Sequence, residues 1–102
     1  MNDKVNELRW LYGKLMEELT DAEEYAKSAC EHKTKNPEEA KKFDILASDE
    51  QKHAGMIEQE ISNIVKATTP ESPEHIIYDF MSDAISDAWM KAKAMQSRYK
   101  GA

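Results

Sequence analysis

Apolar positions recur at three- and four-residue spacing through three long stretches of this chain, and no stretch alternates residue by residue. The first runs from about Asp3 to about His32 and carries Leu8, Leu11, Tyr12, Leu15, Leu19, Ala22, Tyr25, Ala26 and Ala29. Lys33-Thr34-Lys35 loosens the pattern. Asn36-Pro37-Glu38-Glu39 restarts it with a capping residue, a proline at the first helical position and acids in the first turn. The second stretch carries Ala40, Phe43, Leu46, Ala47, Ala54, Ile57, Ile61 and Ile64. It breaks at Ala67-Thr68-Thr69-Pro70-Glu71-Ser72-Pro73, where Ser72-Pro73 forms the next cap. The third runs from about Pro73 towards Tyr99 with Ile76, Ile77, Phe80, Met81, Ala84, Ala88 and Met95. The pattern predicts an all-α chain, one domain over 1–102, made of an antiparallel helical hairpin and a third helix. Three amphipathic helices in 102 residues leave a thin core. Self-association is therefore expected to complete it, with an elongated monomer as the other reading.

Composition narrows the partners. Glycine and proline number three each, which leaves the helical pattern uninterrupted. Asp and Glu outnumber Lys and Arg by 20 to 14, and a net charge of -6 argues against nucleic acid or an anionic membrane surface. No apolar run approaches the roughly 20 residues of a membrane span, and Met1-Asn-Asp-Lys4 has none of the regions of a signal peptide. Cys30 stands alone, so neither an internal disulfide nor a Cys-x-x-Cys metal site is available. The expectation is a soluble cytoplasmic protein.

Candidate chemistry begins where the apolar stripes are interrupted. Along the first helix, Leu11, Leu15, Glu18, Ala22, Tyr25 and Ala29 share a face, with an acid in the middle. Along the second, Phe43, Ala47, Glu50, Ala54, Ile57 and Ile61 do the same, and His53 lies beside Glu50 at three-residue spacing. A charge buried without a partner costs several kcal/mol, comparable to the stability of a small domain. Glu18 lies fifteen residues before Lys33 and Glu50 thirteen after Pro37. At ~1.5 Å per residue both acids then stand about 20 Å from the same turn. Two inward acids and an inward histidine at one height form a candidate metal site. Accidental Glu-x-x-His pairs are common in a glutamate-rich chain, which is the bland alternative. The acids Glu17, Glu23, Glu24, Glu58 and Glu60 read as solvated, and Cys30, His32 and His75, near helix ends, as structural or solvent-facing.

These residues resemble a known family. Glu18-x3-Ala22-x2-Tyr25, followed by Phe43-x3-Ala47-x2-Glu50-x2-His53, is similar to one half of the ferritin-like, rubrerythrin-type di-iron carboxylate fold, over roughly residues 8–64. In that fold two helices each give one Glu and two each give Glu-x-x-His. The resemblance implies Glu18 as a terminal carboxylate, Glu50 as a bridging carboxylate and His53 as the nitrogen ligand. Tyr25 could hydrogen-bond a ligating carboxylate as a supporting group. The chain holds one half-site, lacks a fourth helix, and shows no second Glu-x-x-His. The resemblance therefore implies a ferritin-like half-bundle completed by a homodimer or larger homo-oligomer, with a di-iron centre between two chains. Short encapsulated ferritin-like proteins resemble this solution, although their targeting tail is not evident in Ser97-Arg-Tyr-Lys-Gly-Ala102.

The third helix presents Ile76, Phe80, Asp83, Asp87, Met90 and Ala94 on one stripe. If it folds back on the second helix, Asp87 returns towards the height of Glu50. Asp83 and Asp87 are then extra ligands or a route in for cations. The alternative is an exposed face beside Ala84 and Ala88. Carboxylates with one imidazole per metal suit iron, with manganese as a second choice. The expected activity is ferroxidase-type oxidation of Fe(II) by dioxygen or peroxide. The competing expectation is a non-catalytic helical assembly module, such as a small phage or accessory structural protein, using its Met-rich third helix as a packing surface.

Overall fold

A computed structural model describes residues 3–101 and shows three α-helices: α1 (Asp3–His32), α2 (Pro37–Lys66) and α3 (Pro73–Tyr99). The boundaries follow from local chemistry. Asn36 Oδ1 accepts a hydrogen bond from the Glu39 amide at 3.3 Å, and Pro37 opens α2 where its missing N–H is not needed. Ser72 Oγ repeats the arrangement for α3, accepting from the His75 amide at 3.3 Å ahead of Pro73. Between these helices Thr68 caps the end of α2, its hydroxyl donating to the Val65 carbonyl at 2.7 Å. His75 Nε2 lies 3.2 Å from the Thr68 carbonyl and ties the first turn of α3 to that linker. Gly101, with φ +98°, carries the chain out of α3 in the left-handed conformation that suits glycine.

The bundle is long and thin. It measures 53 × 20 × 16 Å, with a radius of gyration of 16.0 Å, above the ~13 Å of a compact domain of this length. α1 is the central helix, packing along both α2 and α3, whereas α2 and α3 touch each other far less. α2 runs antiparallel to α1, with Tyr25 stacked on Phe43 at 6.3 Å. α3 runs in the same direction as α1, since Cys30 meets Met95 and Lys33 meets Tyr99. α3 therefore runs antiparallel to α2 and touches it through Trp89 and Gln96, while lying mainly against α1.

Two kinds of core result. Leu8, Leu15, Leu19, Ile61, Ile64, Val65, Met81 and Ile85 cluster where the three helices carry large side chains. Towards the α1–α2 turn the buried positions are Ala22, Ala26, Ala29, Ala40 and Ala47, which allow close approach of the backbones. The stripe expected for α3 is rotated. Ile76 and Phe80 are exposed, the latter 84%, while Ile85, Ala92 and Gln96 are buried. Leu46 is also partly exposed, at the open side of α2. A periodic stripe fixes that a helix has an apolar side. Packing chooses which neighbouring residues reach the interior.

Candidate metal centre

The α1–α2 hairpin has two long edges. One is covered by α3, and there the polar groups are paired. Gln96 donates to Asp44 Oδ1 at 2.8 Å and Ser48 Oγ at 2.9 Å, and its carbonyl accepts from Gln51 at 2.7 Å. Trp89 Nε1 donates to Glu58 at 3.0 Å on the same side. Glu58 is thereby partly buried and bonded rather than simply solvated, a role its sequence position does not reveal.

The other edge carries Glu18, Glu50 and His53. Each offers one ligand atom, and these lie within 4.8 Å of one another; among the described residues no other group of three such side chains does so. His53 Nδ1 is 3.7 Å from Glu18 Oε2 and 3.6 Å from Glu50 Oε1. The antiparallel register explains the meeting, because the two acids stand at equal distances from the turn. One part of the sequence expectation is corrected. The acids are largely covered, with side chains 27% and 19% exposed, but His53 is at the rim, 55% exposed. The histidine reaches the acids from solvent rather than from within the core, because its helix face has turned past the α1 contact.

The electrostatics are those of two carboxylates forced together. Glu18 Oε2 is buried and has no hydrogen-bond partner. The Glu50 carboxyl is pushed up to about 7, first by a hydrogen bond to Glu18 that requires a shared proton, then by burial and by the Glu18 charge; His53 opposes the shift. Asp21, one turn from Glu18, is not singled out by the apolar stripe because it sits just outside it. Its carboxyl is pushed up by partial desolvation, although the residue is exposed, and then by Glu18, Glu24 and Glu17. The signal that could have found it is its three-residue spacing from Glu18.

The remaining expected residues are elsewhere or differently engaged. Tyr25 is packed face to face on Phe43, and its hydroxyl is not bonded to Glu18 Oε2, which accepts from no described donor. Asp83 and Asp87 are exposed and are not part of the three-residue group. Asp87 instead lines a hollow with Met16, Thr20, Glu23 and Ala84 and pairs with Lys91 at 3.1 Å.

The donor set fits a divalent cation. Two crowded carboxylates, one of which holds its proton up to about 7, can exchange that proton for a metal, and the Glu18 oxygen that lacks a hydrogen bond gains a ligand bond. Ligands on bonds of ~2.1 Å stand at most ~4.2 Å apart, and His53 Nδ1 already lies 3.7 and 3.6 Å from the two carboxylates. Three ligands do not fill the coordination sphere of a transition metal, and the exposed side of His53 leaves positions for further donors.

The class these observations define is an all-α, three-helix protein with a two-carboxylate, one-imidazole cluster on the open edge of a hairpin. No family model matches the chain, and no significant match to it is found among curated proteins or solved structures. Among the described residues no helix is long and apolar enough to cross a membrane.

Proposed function

We propose that the protein binds iron at a dinuclear carboxylate and histidine site shared by two copies of the chain, and that Fe(II) is oxidised there. The observation that supports this reading is the buried Glu18 oxygen, without a hydrogen-bond partner, beside Glu50 and His53. Glu18, Glu50 and His53 would hold one ion, and the same three residues of a second copy the other. Four carboxylates then neutralise two divalent ions. The resemblance of the sequence motif around Glu18, Glu50 and His53 to half of a ferritin-like centre is the second support. Iron bound there supplies electrons to dioxygen or peroxide. The chain's own work is to crowd carboxylates so that they favour a cation over a proton, and to keep His53 at the solvent edge where Fe(II) arrives as substrate.

The test is anaerobic addition of Fe(II), two ions per pair of chains, followed by dioxygen and by the growth of ferric absorbance in the near ultraviolet. Saturation at that ratio, with rapid oxidation by wild type and not by Glu50→Ala, is expected. Identical slow rates in the two proteins would sink the proposal. A second reading, a non-catalytic assembly module, draws support from the exposed Ile76, Phe80 and Met90 on the outer stripe of α3. Elemental analysis of protein purified without a histidine tag separates them. Stoichiometric iron or manganese favours the first, and metal-free protein whose assembly size is unchanged in Glu18→Ala favours the second.

A further inference from the structure

The open edge of the hairpin carries a register that specifies how a second copy sits on it. On α1 the residues at alternating three- and four-residue spacing are Leu11, Lys14, Glu18, Asp21 and Tyr25, and on α2 they are Phe43, Leu46, Glu50, His53 and Ile57. Both series are centred on a cluster acid. Both are half-buried or exposed throughout, and α3 lies on the opposite side. Lys14 and Asp21 are the charged members that flank Glu18, and both are exposed.

Two hairpins can face each other about a two-fold axis in two ways. With the axis along the helices, α1 lies on the partner's α2 at equal height. The register seen in Glu18 beside Glu50 and Tyr25 beside Phe43 then sets Lys14 nearest the partner's His53 and Asp21 nearest the partner's Leu46, the exposed residues of α2 at those heights. Neither charge finds a counterpart. With the axis across the helices and through the cluster, α1 lies antiparallel on the partner's α1. Lys14, four residues to one side of Glu18, then meets the partner's Asp21, three residues to the other side. Leu11 meets the partner's Tyr25, and on α2 Phe43 meets the partner's Ile57, each seven residues from the centre. These charged and apolar pairs are each formed twice by symmetry, while the exposed Leu46 meets the partner's His53.

We infer that two copies of this chain dock antiparallel through their α1–α2 edges about an axis crossing the helices at Glu18, clasped by two Lys14–Asp21 ion pairs between subunits. The position of the axis rests on the shared metal site proposed above. Within one chain Lys14 and Asp21 are seven residues apart, ~10.5 Å along the helix, so they are set for pairing between chains. Lys14 otherwise pairs with Glu17 at 3.6 Å and lies over the Trp10 ring at 5.6 Å, exposed contacts of the kind that contribute little. Asp21 is crowded by Glu17, Glu18 and Glu24 and gains from a cation brought by the partner.

The test uses charge reversal, with dimer dissociation measured by sedimentation in chelator and again with Mn(II). Lys14→Glu sets a carboxylate against the partner's Asp21, and Asp21→Lys sets two ammonium groups together. Each variant alone is expected to dissociate at least about tenfold more readily than wild type, since facing like charges are strongly disfavoured. An equimolar mixture of the two is expected to regain wild-type association, because both inter-chain pairs in the mixed dimer are again opposite in charge. Recovery on mixing also shows that each variant is folded. The proposal is overturned if either variant self-associates like wild type, if the mixture remains dissociated, or if wild type is monomeric with and without Mn(II). Isothermal titration with Mn(II) keeps the two ideas apart. A mixed dimer that binds no metal sinks the metal site and leaves the clasp standing. A wild type that binds Mn(II) while the single variants dimerise normally sinks the clasp alone.

Discussion

Both edges of the α1–α2 hairpin bury polar groups, and they treat them in opposite ways. On the edge covered by α3, Gln96 satisfies Asp44, Ser48 and Gln51, and Trp89 satisfies Glu58. On the open edge, Glu18 keeps a buried oxygen with no hydrogen-bond partner, and Glu50 holds its proton up to about 7. A buried polar network that is complete adds stability and one defined packing. One that is left incomplete is a cost that a ligand can relieve. The difference separates a structural clasp from a candidate site without recourse to any relative.

The largest expected effect breaks the open edge. Glu50→Ala or Glu18→Ala should lower Mn(II) affinity by more than the ~10–100-fold typical of losing a group that merely supports a ligand, as read by calorimetric titration. The fold is expected to survive, with the helical circular dichroism unchanged, because the cluster of large core side chains lies elsewhere. Next comes the closed edge. Gln96→Ala strips Asp44 and Ser48 of their donor and should cost about 1–3 kcal/mol, seen as a lower urea midpoint. Metal affinity should stay within about twofold of wild type, given an interaction on the far side of the hairpin. Equal loss of metal binding in this variant would erase the contrast between the edges.

Acidity gives a smaller and sharper test. Glu50 binds its proton more tightly in the folded protein than in the unfolded chain, where its value is near 4.5. The folded state therefore carries more protons between those two values, and metal-free stability should fall as pH rises from about 4.5 through about 7. Glu50→Gln keeps a neutral donor beside Glu18 at every pH. Its melting temperature should vary less over this window, and above neutrality it should exceed that of metal-free wild type. The smallest effect is expected at α3. Asp87→Asn breaks an exposed pair with Lys91, and both melting temperature and Mn(II) affinity should remain close to wild type. A marked loss of affinity would return Asp87 to the ligand set.

The three helices are legible in the sequence because their causes are local: three- and four-residue periodicity, Asn36-Pro37 and Ser72-Pro73 caps, and a breaker segment between. The meeting of Glu18, Glu50 and His53 is also legible, because equal distance from a tight turn is a matter of helix rise. What the pattern does not contain is which side of each helix faces which neighbour. Ile76 and Phe80 are apolar enough for the interior and lie outside, while Gln96 goes in. His53, expected inward, lies at the rim, and Asp21 is hidden by its more central neighbour.

The chain by itself thus determined the elements, their ends and the common height of three ligand-type side chains, since all of these follow from short-range geometry. Only the tertiary structure decided that α3 packs on α1 and leaves the Glu18–Glu50 edge uncovered. It alone showed one carboxylate oxygen buried without a hydrogen bond. Those are properties of how whole helices divide the available apolar surface among themselves, and no single segment contains that information.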